Sequence, residues 1–257
     1  MAEREKVLSE RLQMLARMVT PGSRVADVGC DHGFLSIYLV QKGISPAVIA
    51  MDVRKGPLSA AREHIEARGL NTYIETRLSD GLQRLKPGEV DTVICAGMGG
   101  RLMERILKDS LEKTSRLGEL ILQPQSEIGE FRRFLHEYGF EVTKEDMVRE
   151  DGKYYFAMRA VPGDAIVAAG PGMPMAPSAG GQGFAADDLR VCEKYGERLI
   201  LEKHPLLKEY LLWQEGVLLQ LAESLRAQAT ERVEVRLQEI QEELEDVQRA
   251  LEMIKNT

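Results

Sequence analysis

Ten consecutive residues limit the possible folds of this chain more than any others: R-V-A-D-V-G-C-D-H-G, from Arg24 to Gly33. The apolar run Val25 to Val28 has the length and composition of a buried parallel strand. It stops at Gly29 and Gly33, and Phe34, Leu35, Ile37, Tyr38 and Leu39 then follow in a pattern that fits a helix. Strand, glycine turn and helix open an α/β unit for nucleosides or dinucleotides, in which backbone N–H groups and a helix N-terminus face the ligand. The glycine spacing alone is a weak signal, because ordinary tight turns produce it too. Acids at Asp27, Asp31, Asp52 and Asp80 sharpen it. Asp52 ends the second apolar run, 25 residues after Asp27, where a carboxylate holds a ribose diol.

The remaining pattern alternates. Leu8, Leu12, Leu15, Met18 and Val19 recur at helical spacing until Pro21-Gly22, which predicts a leader helix packed on the sheet. Strands are expected at Ala47–Asp52, Thr72–Arg77, Asp91–Cys95 and Glu119–Leu122. A helix opens at Gly56-Pro57 and closes at Gly69, with proline in its first turn. Others start near Arg101 and run from Ile128 to Tyr138. Loops fall at Ser79-Asp80-Gly81, at Ala96-Gly97-Met98-Gly99-Gly100 and as a turn at Gln123-Pro124-Gln125. Phe140–Met147 and Tyr154–Arg159 read as a closing antiparallel pair, so the sheet is mainly parallel with one reversed strand. A plain NAD-binding fold would keep alternating. The ending favours the seven-stranded sheet of a class I, Rossmann-like methyltransferase.

Composition sets the organisation beyond that sheet. At 257 residues the chain holds one α/β domain, residues 1–160, and an appendage. Four prolines and six glycines crowd the 22 residues from Pro162 to Gly183, a composition that buries too little apolar surface to order itself. A linker is expected over 161–186 and a helical domain over 187–257. In that domain Val233, Leu237, Ile240, Leu244, Val247, Leu251 and Ile254 recur in steps of four and three, the seam of a coiled coil. Leu206–Leu225 forms a second striped helix, which predicts an antiparallel pair with a turn near Ala227–Thr230.

The net charge of -7 lies entirely in the tail: residues 1–160 carry 24 basic and 24 acidic side chains, residues 161–257 carry 10 and 17. A nucleic-acid partner therefore needs a local basic face. No apolar run approaches the roughly 20 residues of a membrane span, and the charged M-A-E-R-E-K start lacks the apolar stretch of a signal peptide. Cys30, Cys95 and Cys192 have no metal-ligand spacing. No metal, no membrane and a reducing cytoplasm are the expectations. Nothing in the sequence specifies an oligomer, and a monomer is favoured.

With S-adenosylmethionine as ligand, Asp52 would take the ribose hydroxyls and Asp80, beside Gly81, the adenine amine. Gly29 and Gly33 would let the backbone close on the methionine part, with Asp27 orienting the turn or the ligand amine. Ala96 and Gly97 would allow close backbone approach. Asp31 is placed to stabilise a developing cation on the accepting base, His32 to orient Asp31 or meet the methionine carboxylate, and Met98 to stack on the base. Each has an ordinary alternative: strand-end or turn acids, a turn histidine, a packing methionine. Arg54-Lys55 and the helical face Arg101, Arg105 and Lys108 are candidate phosphate contacts, although solvated helix faces look alike. Arg132-Arg133 form a further basic pair, and His64, His136 and His204 read as isolated structural histidines.

D-V-G-C-D-H-G at Asp27–Gly33, A-G-M-G-G at Ala96–Gly100 and L-Q-P-Q at Leu122–Gln125 together resemble the bacterial TrmK family of tRNA (adenine(22)-N(1))-methyltransferases. The resemblance spans about Leu8–Arg159 and resumes near Leu199–Leu225. It implies a class I fold, S-adenosylmethionine, methylation of adenine 22 in the tRNA D arm, and a C-terminal coiled coil that helps hold tRNA. This chain departs from the family pattern at Cys30 (usually Ser or Thr), Asp52 (usually Glu) and Gln125 (usually Asn). Two other readings fit the same segments. A nucleotide-dependent oxidoreductase would need a tighter phosphate turn, without an acid facing pyrophosphate. A non-catalytic RNA-binding protein would use the coiled coil alone.

Overall fold

The computed structural model describes residues 8–164, 186–226 and 231–256. Most of the expected linker and the expected turn at 227–230 lie outside the described residues. The chain divides into two compact units, Met1–Ser178 and Ala179–Thr257.

The first unit is built on a seven-stranded sheet. Its elements are α1 (Glu10–Met18), β1 (Val25–Val28), α2 (Phe34–Gln41), β2 (Val48–Asp52), α3 (Lys55–Glu66) and β3 (Ile74–Leu78). They continue with β4 (Thr92–Met98), α4 (Gly100–Lys108), α5 (Leu111–Thr114), β5 (Glu119–Pro124), α6 (Ile128–Glu137), β6 (Phe140–Glu150) and β7 (Lys153–Pro162). Strand order is β3-β2-β1-β4-β5-β7-β6. β1 pairs in parallel with β2 and β4, and β7 runs antiparallel to both β5 and β6. One reversed strand in a mainly parallel sheet is the arrangement expected for the class I methyltransferase fold.

Both faces of the sheet are covered, which is why β1 and β5 are buried along their whole length. One apolar layer joins α1, α2 and α3 through Met14, Leu15, Leu39 and Ile65. The other joins α4 and α6 through Met103, Leu107, Phe131 and Leu135. Burial of each such large side chain contributes on the order of 1.5–3 kcal/mol. At the base of the sheet, buried Glu119 accepts hydrogen bonds from the Thr20 N–H, the Thr20 and Thr92 hydroxyls and Arg159 Nε. That one carboxylate ties the end of α1 to β4, β5 and β7.

Several boundaries differ from the sequence reading, among them the ends of β6 and β7, which run on to Glu150 and Pro162; three others have a clear local reason. β3 begins at Ile74, not Thr72, because the Tyr73 and Ile74 N–H groups both turn back to the Leu70 carbonyl. β4 runs on to Met98 through a bulge at Gly97. The expected turn at Gln123-Pro124 is strand: Gln123 and Pro124 pair with Ala96 and Met98.

The second unit is helical: α7 (Ala186–Tyr195), α8 (Glu197–Leu201), α9 (Pro205–Arg226) and α10 (Glu231–Asn256). α9 packs on α10 through Leu207, Leu211, Leu218 and Ala222. Along α10, Val233 and Leu237 are half-buried while Ile240, Leu244, Val247 and Ile254 are buried. The change follows from α7 and α8, which also pack on α10. Arg249 holds Asp188 of α7 at 2.6 Å, and Asp246 holds Lys194 at 2.9 Å. The stripe thus serves a small helical bundle in addition to a helix pair.

Candidate functional site

Open α/β sheets bind ligands beyond the carboxyl ends of their strands, where strand order reverses. Here the reversal falls between β1 and β4, and a crevice of about 630 Å³ lies over β1–β5 at that end. The size suits a small-molecule site. Twelve of the residues singled out from the sequence line it: Asp27, Gly29, Asp31, His32, Asp52, Arg54, Asp80, Gly81, Ala96, Gly97, Met98 and Arg105.

The first loop is shaped by backbone geometry. Gly29 and Cys30 donate their N–H groups to the Met51 carbonyl at 2.8 and 2.9 Å, which folds the end of β1 towards β2. Gly29 has φ +75°, and a Cβ there would collide with the Met98 methyl group. Met98 therefore packs across the loop, with its sulfur 3.7 Å from the Cys95 thiol. A Cβ at Gly33, also at positive φ, would stand 3.1 Å from the Ala61 Cβ, so the loop packs closely on α3 there; Gly33 does not line the crevice. Asp31 adopts φ +50°, a left-handed conformation that aspartate tolerates better than most residues.

Burial first pushes the Asp27 carboxyl up, Ser36 pulls it back by hydrogen bonding, and the charge of Asp52 raises it again, to about 6. Burial likewise pushes the Cys95 thiol up to about 12 and raises that of Cys30. Neither is an activated nucleophile. Asp52, buried at the end of β2, receives the Arg54 N–H on Oδ1 at 2.8 Å; among the described residues nothing donates to Oδ2. His32 Nε2 lies 3.8 Å from Asp31 Oδ1.

The candidate cations do not form one cluster. Arg54 lies 3.7 Å from Asp52 and Arg105 3.6 Å from Asp80, so two of them face acids of the crevice. Arg101 faces Glu127 at 3.7 Å, and the Lys108 ammonium lies over the Phe134 and Tyr138 rings of α6, at 5.0 and 5.4 Å. Arg101, Lys108 and Lys55 are not among the lining residues.

Two side chains whose contacts shape this region were not legible in the sequence: Arg11, which lines the crevice, and His64, which does not. Arg11, on α1, reaches over the end of β5, where its guanidinium donates to Gln123 Oε1 at 2.9 Å and lies 5.4 Å from the Tyr155 ring centre. Gln125 lines the same end. His64, read as isolated, stacks on Phe34 at 4.9 Å, and its Nδ1 lies 3.0 Å from the His32 carbonyl. Since the carbonyl only accepts, Nδ1 carries the proton of that bond. None of these contacts has a local signal, because each joins residues 30 or more positions apart in sequence.

The crevice fits S-adenosylmethionine in charge and size. Four acids suit a sulfonium and an ammonium, Asp52 keeps an open acceptor for a ribose hydroxyl, and Gly29 leaves peptide surface bare. A family model described as a methyltransferase domain matches residues 8–158. The tRNA (adenine(22)-N(1))-methyltransferase of Bacillus subtilis is 37% identical over 160 residues, covering 62% of this chain and 67% of that one.

The chain belongs to the TrmK family of methyltransferases.

Solved structures extend the family likeness to 95% or more of the chain. The Bacillus subtilis m1A22 tRNA methyltransferase TrmK superposes with a TM-score of 0.78 at 29% identity, covering 96% of this chain and 99% of that one. The Streptococcus pneumoniae protein Sp1610, in complex with S-adenosyl-L-methionine, superposes with a TM-score of 0.75 at 30% identity, covering 95% and 100%. No helix of the described residues is long and apolar enough to cross a membrane, and no cluster among them would hold a metal ion.

Proposed function

We propose that this chain is a tRNA (adenine(22)-N(1))-methyltransferase that uses S-adenosylmethionine. The observation that carries the reading is the convergence of three family motifs, D-V-G-C-D-H-G, A-G-M-G-G and L-Q-P-Q, on one crevice beyond the strand ends. When bound, S-adenosylmethionine supplies an electrophilic methyl group. Adenine N1 has an in-plane lone pair and needs no prior deprotonation, so the protein's task is alignment and exclusion of water. Asp52 and Asp80 hold the nucleoside part of the donor, and the Gly29–Gly33 loop holds the methionine part beside Asp27. Asp31 stabilises the positive charge that develops on the base, with His32 orienting it. The accepting base leaves its stack to enter. Arg54, Lys55, Arg101, Arg105 and Lys108 meet tRNA phosphates around the mouth, and the helical unit helps hold the tRNA. The enzyme works on cytoplasmic tRNA, as a monomer.

Incubating the protein with S-adenosylmethionine and unmodified tRNA, followed by mass mapping of the methylated nucleotide, tests this. One methyl group on adenine 22 is expected, with kcat reduced at least tenfold by Asp31→Ala and S-adenosylhomocysteine affinity retained. If wild type binds tRNA but transfers nothing, the reading fails.

A further inference from the structure

At the β4–β5 end of the crevice the strand register breaks. Ala96 pairs with Gln123 and Met98 with Pro124, so Gly97, at φ +76°, is an extra residue without a partner. Bulges of this kind re-aim the chain beside active sites. The Gln125 N–H continues the pairing to the Met98 carbonyl at 2.8 Å, which fixes the backbone of Gln125 against the bulge. Its side-chain nitrogen lies 3.8 Å from where a Gly97 Cβ would stand, so the amide borders a patch of bare peptide. Gln125 is exposed, and its amide has no hydrogen-bond partner among the described residues. It is the one primary amide among the lining residues. Two positions earlier on the strand, the nitrogen of the fully buried Gln123 amide also has no partner among the described residues.

We propose that Gln125 reads the Hoogsteen edge of the accepting adenine, its amide oxygen accepting from the N6 amine and its nitrogen donating to N7. This rests on the methyl transfer to adenine N1 proposed above. With N1 committed to the methyl group and the donor nucleoside held at the β2–β3 end, the base enters over β4–β5 with N6 and N7 available. A primary amide matches that donor–acceptor pair in two parallel bonds, which the crevice arginines and aspartates cannot do singly. Guanine sets O6 against the amide oxygen and is rejected.

The test uses tRNA assembled by ligation with adenosine or 7-deazaadenosine at position 22, with wild type, Gln125→Asn and Gln125→Met. Loss of N7 leaves N1 no poorer as a nucleophile, so slower transfer reports the lost contact. Wild type is expected to lose roughly five- to fiftyfold in kcat/KM on the 7-deaza substrate. Gln125→Met is expected to lose at least as much on adenosine and to treat both substrates alike, while Gln125→Asn keeps part of the difference. Affinity for S-adenosylhomocysteine stays within about threefold if the fold is intact. Equal wild-type rates on the two substrates would overturn the proposal without any variant, as would a Gln125→Met enzyme that still discriminates. Failure of wild type on adenosine itself is a separate result: it would overturn the methyltransferase reading, and this proposal with it.

Discussion

The Ser36 hydroxyl, on α2, donates to Asp27 Oδ2, on β1, at 2.6 Å in a buried bond between helix and sheet. Asp27 is only 4% exposed and has Asp52 as a charged neighbour, so the hydroxyl is its main compensation. A carboxyl raised to about 6 by burial is unusual for a strand residue, and it makes the apo protein's stability depend on pH.

The sign follows from proton counting. An unfolded aspartate titrates near 3.9, so between about pH 4 and pH 6 the folded chain binds more protons than the unfolded one. Stability from this group is present at the acid end of that window and declines as pH rises through 6, by up to about 3 kcal/mol. Asp27→Asn keeps the shape and removes the charge. In urea unfolding at pH 4.5 and 7.5, the variant should gain on wild type at the higher pH only. A difference independent of pH would contradict the burial argument.

Gly29→Ala tests the loop. The new methyl group collides with the Met98 methyl group, but that is the end of a flexible side chain and can give way. The left-handed backbone cannot, and costs about 1–2 kcal/mol. Modest destabilisation, at least tenfold weaker S-adenosylhomocysteine binding by calorimetry, and no rescue by a second change at Met98 are expected. Full recovery with Met98→Ala would show that only side-chain crowding mattered.

The strand ends, the glycine loop and their acids were legible because each is a local pattern: apolar period, glycine, acid. Asp27, Asp31, Asp52 and Asp80 meet because parallel strands present their carboxyl ends together. Arg11 and His64 were not legible, since what they touch lies 112 and 32 positions away. Gln125 sat in a recognised motif, but Gln123-Pro124 reads as a turn, and only the bulge at Gly97 shows it to be strand. The basic face Arg101, Arg105 and Lys108 has the right helical spacing, yet its members turn to Glu127, to Asp80 and to two aromatic rings. Spacing puts residues on one face without saying what that face meets.

Glu119 supplies a contrast with Asp27. It is as deeply buried, yet four donors outweigh its desolvation and hold its carboxyl below the usual glutamate range. Its contribution is present above about pH 4.3 and is lost as pH falls through the lowered folded value. Glu119→Ala leaves Arg159 and two hydroxyls without their acceptor. Since Arg159 is a third exposed, the loss belongs at the low end for a broken buried pair, about 3 kcal/mol. Thermal unfolding should shift accordingly while S-adenosylhomocysteine affinity stays within about twofold, because the network lies at the opposite end of the strands. Weakened ligand binding in a still-folded variant would refute that separation.

Ending the chain after Ser178 removes the helical unit, and every lining residue of the crevice lies before that point. Cofactor affinity should therefore survive within about threefold. If the helical unit holds tRNA, as proposed, affinity for tRNA falls at least tenfold. Residues 161–257 carry 10 basic against 17 acidic side chains, so the unit is a poor general phosphate binder. What it contributes would be a few placed contacts and shape. The slope of log affinity against log salt should accordingly change by only about one or two phosphate equivalents, because the cations around the crevice mouth remain. Filter binding across a salt series reads both quantities. Equal affinity for tRNA with and without the unit would remove it from recognition, and a collapse of the slope would relocate the phosphate contacts to it.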